Sequence, residues 1–300
     1  MSDSGLIGTF DSGVGGLGVW REIVRQLSYE DTLYLADQAH VPYGHRRLAE
    51  VREFSQGITR FLLGQGAKVI VIACNTASAA ALHYLRRTFP GIPFVGMEPA
   101  VKPAAEQTRN GVVGVIATQA TFQGELFASL VERYAGDVQV LTQVCPGLVE
   151  AVEAGALDTP ETEALLRRCL TPLIEAGADQ LVLGCTHYPF LRATIERVVG
   201  ANVAVIDPAP AVARQVGRVL VQRRLEADPA TGLRRERSAE RSGHRQGRVS
   251  PHVFYTSGDV ATFAAMVKRL LPSVGADVKV CPVRWHGQAA AVMLSALLVL

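Results

Sequence analysis

Apolar residues along the chain fall into two alternating rhythms. Short, often β-branched runs read as buried parallel strands, and between them lie stretches with apolar side chains every three or four positions, as in amphipathic helices. Leu6 to Phe10 is the first run. Glycines 13, 15, 16 and 18 follow, and then Val19, Ile23, Val24 and Leu27 at helical spacing, which predicts strand, tight turn, helix. Thr32 to Ala36 runs into Asp37, residues 48–63 read as helix, and the run 68–73 stops at Cys74. A helix over 78–89 and a strand over 93–97 complete this unit. The order then repeats: a strand over 111–118 ending in Thr118, a helix over 123–134, a strand over 138–143, a helix over 160–176, and a strand over 180–184 that stops at Cys185. Asp11 lies 63 residues before Cys74 and Thr118 lies 67 before Cys185, so two similar α/β units with mostly parallel sheets are expected. A strand at 203–207, a helix at 211–226, the segment HVFYTSGD, a helix at 260–271 and ADVKV follow without a third such cysteine. This last material is expected to rejoin the first unit.

Composition sharpens this in three places. With 300 residues, 48% hydrophobic and 19% charged, the chain has ample core material and is neither disordered throughout nor a disulfide-held mini-protein. The net charge of +2 is unevenly placed: Arg223 to Arg248 carries eight arginines against four acids, so the rest of the chain is net negative. A nucleic-acid footprint over the whole surface is not implied, and the run, without apolar spacing, reads as a mobile surface insertion. The five cysteines, 74, 145, 169, 185 and 281, form no CxxC pair, which argues against a zinc knuckle or a thioredoxin-like site. The opening residues do not resemble a signal peptide, and the uncharged stretch after Gln288 is too short to span a bilayer. A cytoplasmic protein with reduced thiols and no membrane partner is expected.

Functional groups of parallel α/β sheets gather beyond the carboxyl ends of the strands. Asp11, Ser12, Cys74, Asn75, Thr76, Thr118, Cys185, Thr186, His187 and Asp207 all fall there. Singly, each has a bland explanation: a helix cap for Asp11 or Ser12, a small buried apolar group for either cysteine, a satisfied structural histidine for His187. Two cysteines at equivalent ends of two units are harder to explain that way. Gly13, Gly15 and Gly18 also fit a dinucleotide turn, with Asp31 or Asp37 at the right distance, although Asp11 beside a pyrophosphate is electrostatically poor. No P-loop sequence occurs. One cysteine beside a base suggests acyl transfer. Two at matched positions suggest an acid and a base on opposite faces of one bound molecule, with Asp11 and His187 as assistants: the requirement for inverting a carbon without a cofactor. The chain's four lysines, 68, 102, 268 and 279, lie away from these strand ends, so pyridoxal phosphate is not expected.

The strings DSGVGG (11–16), YLAD (34–37), PYG (42–44), IACNTAS (72–78), GVIATQAT (114–121), CPGLVEAVEAG (145–155) and LGCTHYP (183–189) closely resemble glutamate racemase, within the aspartate/glutamate racemase superfamily. That resemblance implies two pseudo-symmetric α/β domains, 1–98 plus 209–300 (with 223–250 as the insertion) and 99–208, with the substrate in the cleft between them. It implies interconversion of L- and D-glutamate without metal or pyridoxal phosphate, supplying D-glutamate for peptidoglycan. Cys74 would act on the D and Cys185 on the L enantiomer, supported by Asp11 and His187. Asp11, Ser12, Pro42, Tyr43, Gly44, Asn75, Thr76, Thr118, Thr121, Glu153, Thr186 and His187 match substrate-site positions. Glutamate is the implied partner, no nucleic acid is required, and a homodimer is an assembly open to it. The Arg-rich insertion, the uncharged tail and Glu150, where relatives often carry proline, depart from the pattern. Aspartate or hydantoin racemisation, and a binding role without catalysis, are the alternatives.

Overall fold

The computed structural model describes residues 5–228, 252–273, 278–286 and 291–294. In chain order its elements are β1 (Leu6–Asp11), α1 (Leu17–Gln26), β2 (Thr32–Ala36), α2 (Leu48–Gly64), β3 (Ala67–Ile72), α3 (Asn75–Thr88), β4 (Phe94–Gly96), α4 (Val101–Gln107), β5 (Val112–Ala117), α5 (Gln119–Gln123), α6 (Glu125–Tyr134), β6 (Gln139–Val144), α7 (Leu148–Glu153), α8 (Pro160–Glu175), β7 (Gln180–Gly184), α9 (Arg192–Val199), β8 (Ala204–Ile206), α10 (Ala209–Arg223), β9 (Val253–Thr256), α11 (Val260–Leu270), β10 (Lys279–His286) and β11 (Ala291–Leu294).

Two sheets result. The first runs β11-β10-β9-β2-β1-β3-β4 and the second β6-β5-β7-β8. Every pairing is parallel except β10 with β11. The order β2-β1-β3-β4 in the first sheet is repeated as β6-β5-β7-β8 in the second, so the duplication suggested by the cysteine spacing is present in the strand order. In both, the chain leaves the central strand to one side and returns to the other. The resulting switch points lie between β1 and β3 and between β5 and β7, where parallel sheets open a crevice at their carboxyl ends.

Strand alternation decides which helices cover which face. Phe10, Ile70 and Ile72 pack with Val51, Ile58 and Leu62 of α2 and Ala77, Ala81 and Leu85 of α3. Ile7, Val69 and Val71 point the other way, onto Val19 and Ile23 of α1 and Val212 and Val216 of α10. In the second sheet, Val113, Val115 and Val182 meet α4 and α6, while Leu181 and Leu183 meet Leu166, Leu170 and Leu173 of α8. The latter cluster continues through Leu148, Val152 and Tyr188 into Val14, Leu17, Trp20, Tyr34 and Phe254 of the first unit, so one apolar layer underlies both.

Departures from the sequence reading have local causes. The helix expected over 123–134 is α6, and the short α5, which the sequence pattern did not show, precedes it; the two meet at an extended Gly124 whose Cβ, if present, would lie 2.7 Å from Ala79 Cβ of α3. Close packing of α3 therefore leaves no room for a side chain at this junction. The uncharged tail contributes β11, an edge strand antiparallel to β10. Beyond Asp228 the Arg-rich run lies outside the described residues. Among the described residues no helix is long and apolar enough to cross a membrane.

Asp179, buried just ahead of β7, fixes the start of the second sheet. Its carboxylate accepts bonds from Thr108 Oγ1 at 2.5 Å, Arg109 N at 2.7 Å and Asn110 N at 3.2 Å. Burial alone raises its pKa, but these donors outweigh burial and hold it below the ordinary value. Asp179→Ala orphans those groups and should cost about 2 kcal/mol in urea unfolding at neutral pH. The wild-type carboxylate is stabilising above its unfolded pKa, so the gap between the two proteins should close as pH falls below about 4.

Candidate active site

Each switch point supplies one half of the site. β1 ends in Asp11, fully buried, whose Oδ1 accepts the Gly13 amide at 2.8 Å and whose Oδ2 accepts Thr186 Oγ1 at 3.0 Å. β3 is followed by Cys74, which caps α3 by accepting the Ala77 amide on Sγ at 3.4 Å. Burial raises the Cys74 pKa, the Asp11 carboxylate raises it further, and the Ala77 and Ser12 amides offset only part of this, so the protonated thiol is favoured. Asp11 is itself raised, by burial acting against His187 and its two donors.

On the other sheet, β7 is followed by Cys185, Thr186 and His187. His187 Nδ1 lies 3.7 Å from Cys185 Sγ, and its Nε2 donates to Glu153 Oε1 at 2.7 Å. Burial pulls the His187 pKa down, yet Cys185 and Glu153 together lift it well above the ordinary imidazole value. Glu153 sits low despite burial, because His187, the Val14 amide at 2.7 Å and Gln38 Nε2 at 3.1 Å all donate to it. With Glu153 accepting at Nε2, moving one proton between Nδ1 and Cys185 interconverts imidazolium beside thiolate and neutral imidazole beside thiol. One half therefore favours a thiol beside a carboxyl group, and the other can place a positive charge beside its sulfur.

Cys74 and Cys185 both line one small cavity, shared with Ser12, Pro42, Tyr43, Gly44, Asn75, Thr76, Thr118, Val149, Thr186 and His187. Thr76 Oγ1 lies 2.9 Å from Thr118 Oγ1 and 3.3 Å from Thr121 Oγ1, joining the two units across the cavity. Both amide atoms of Asn75 are buried there without a hydrogen-bond partner. An orphaned buried polar group costs about 1–3 kcal/mol. A ligand offering both a donor and an acceptor, as an amino acid's ammonium and carboxylate do, would satisfy them. A wider hollow between α3, α4 and α10, lined by Arg86, Glu98, Lys102 and Gln215, contains neither of these cysteines. Among the described residues no three His, Cys, Asp or Glu side chains are placed to hold a metal.

The glycine loop serves close approach between the units. A Cβ on Gly13 would overlap Glu153 Oε1, and one on Gly15 would lie 2.5 Å from His187 Nδ1 and 2.6 Å from Thr186 Oγ1. The space a dinucleotide turn would offer to phosphate is filled by side chains of the second unit. Of the residues expected at the site, Asp11, Thr121 and Glu153 do not line the cavity but bond to residues that do, and the rest line it, except Asp207, which instead accepts the Ala209 amide at 2.9 Å. Val149 and Gln38 were not anticipated. Val149 lies within the motif at 145–155, so the motif carried a signal for it, whereas Gln38 had none.

The Asp/Glu/Hydantoin racemase family matches over residues 13–216. The chain is 56% identical over 225 residues to a glutamate racemase of Pseudomonas aeruginosa, covering 75% of this chain and 85% of that protein. It is 55% identical over 227 residues to one of Roseiflexus sp., covering 75% and 84%. The crystal structure of a glutamate racemase isoform from Bacillus anthracis superposes with a TM-score of 0.77 at 32% identity, over 93% of this chain and 97% of that one. The chain belongs to the Asp/Glu/Hydantoin racemases and, within them, to the glutamate racemase family.

Gly15→Ala tests the close approach. The added methyl group must displace His187 or Thr186, and a shift of about 1 Å in a positioning group can cost about 10² in rate. Turnover should fall by that order while the far-ultraviolet circular dichroism spectrum stays that of wild type; unchanged turnover would contradict this packing.

Proposed function

We propose that the protein interconverts L- and D-glutamate with Cys74 and Cys185 as opposed acid and base, and without pyridoxal phosphate or metal. The observation that carries this reading is the placement of two cysteines at equivalent switch points of two sheets, both lining one cavity. In the L-to-D direction Cys185 thiolate takes the α-proton and the resulting carbanion receives a proton from Cys74 on the opposite face. The reverse direction begins from Cys74 thiolate. His187 supports the sulfur on the L side and Asp11 the sulfur on the D side, each by stabilising or exchanging a proton. Ser12, Asn75, Thr76, Thr118 and Thr186 supply hydroxyl and amide groups for the ammonium and two carboxylates, with Thr121 bonded to Thr76 and Thr118 behind them, and Pro42, Tyr43 and Gly44 close one wall. The division into 1–98 plus 209–300 and 99–208 belongs to the same reading, as do a cytoplasmic location, use of the product in peptidoglycan, and a homodimeric assembly.

Cofactor-free protein should bring L-glutamate to a racemic mixture, followed by loss of optical signal; L-aspartate tested alongside separates the related activity. Enantiomers have equal free energies, so the two directions must keep equal kcat/KM in any variant. Side-specific effects must therefore be sought in a half-reaction. Cys74→Ser and Cys185→Ser should each lower racemisation by about 10² to 10⁴. With a glutamate analogue bearing a leaving group on the β-carbon, where one base suffices for elimination, Cys74→Ser should still act on the L series and Cys185→Ser on the D series. Folded mutants that lose elimination from both series would contradict the assignment.

A further inference from the structure

Resting on that reading, we propose that Gln38 is a positioning residue, holding the Glu153 carboxylate in the orientation that sets His187 beside Cys185. Gln38 lies two residues past the end of β2, half-buried, and reaches from the first sheet to α7 of the second unit. Its Nε2 donates to Glu153 Oε2 at 3.1 Å, and its Oε1 accepts Thr256 Oγ1 at 2.9 Å. Thr256 Oγ1 in turn accepts the Gly258 amide at 3.0 Å. Because a carboxylate can only accept, Glu153 dictates which end of the Gln38 amide faces it, and the donors then run one way from Gly258 to Glu153.

This chain has a fixed base. Ala36 and Thr256 are register partners of the adjacent parallel strands β2 and β9, so strand pairing sets the spacing of Gln38 and Thr256. A Cβ on Gly258 would lie 2.8 Å from Gln38 Cβ, and its absence lets the turn after β9 close on Gln38. Glu153 Oε1 is already taken by Val14 N and His187 Nε2, leaving Oε2 to Gln38. The terminal torsion of a glutamate is broad and roughly two-fold. A bond on the second oxygen therefore restricts a rotation that would otherwise move Oε1 relative to the imidazole. The groups facing His187 are Cys185, Glu153 and Asp11, and of these Gln38 touches only Glu153.

Elimination from the two enantiomeric series of the same β-substituted analogue tests this, because the L series uses the Cys185 and His187 side and the D series the Cys74 side. Gln38→Leu should slow L-series elimination about tenfold, the size of one hydrogen bond to a charged group. The D-series rate and the KM for glutamate should stay within about twofold, and Gln38→Glu, which sets a second carboxylate against Glu153, should behave the same way or worse in the L series. Added to Glu153→Gln, Gln38→Leu should cause no further loss, since residues acting through one contact are not additive. Equal slowing of both series, an unchanged L series, or a full additional loss in the double variant would overturn the role of Gln38. Failure of the wild-type protein to racemise glutamate would instead overturn the reading beneath it.

Discussion

The structure depends on how closely the second unit can approach the backbone of residues 12–16. Glu153, Thr186 and His187 enter the space that side chains on Gly13 and Gly15 would occupy, and Glu153 accepts the Val14 amide directly. That approach brings the carboxyl edges of two separate sheets to one cavity. Without it each sheet would carry a strand-end cysteine facing solvent. The apolar layer running from Leu148, Val152 and Tyr188 into Val14, Leu17, Trp20 and Tyr34 holds the loop in place from beneath.

The same approach solves an electrostatic problem. Isolated charges in a site this buried would neutralise rather than remain charged. Asp11 of the first unit is bonded by Thr186 of the second, while Glu153 of the second is bonded by Val14 and Gln38 of the first. Each of these two carboxylates is thus held partly by the opposite unit, and the arrangement is complete only when the units are together. The two halves still differ: burial and Asp11 hold Cys74 toward its thiol, while His187 can be charged beside Cys185. A symmetric fold thereby gives its two cysteines unlike neighbours, a carboxylate beside one and an imidazole beside the other.

Much of this was legible in the sequence because it is local. β3 is buried along its full length, as its near-continuous apolar run implies, and Asp11, Cys74, Thr118 and Cys185 stand at the ends of β1, β3, β5 and β7. What was hidden is tertiary. Glycines 13 and 15 look identical in sequence whether they admit a phosphate or another unit's histidine. Gly124, between α5 and α6, has no room for a side chain because of Ala79, 45 residues earlier in the chain. Gln38 carries no motif of its own, and its use follows from the register of β2 with β9, strands separated by more than 200 residues. β11 arises from residues whose lack of charge gave no strand period.

Racemisation of L-glutamate in deuterium oxide, stopped at low conversion and resolved by enantiomer in a mass spectrometer, tests the opposed thiols most directly. If one sulfur removes the proton and the other returns a different one, newly formed D-glutamate carries solvent deuterium at the α-carbon while remaining L-glutamate keeps its protium, and the mirror result holds from D-glutamate. Product that retains the original proton, or L-glutamate that gains deuterium as fast as D-glutamate forms, would mean that a single group serves both faces.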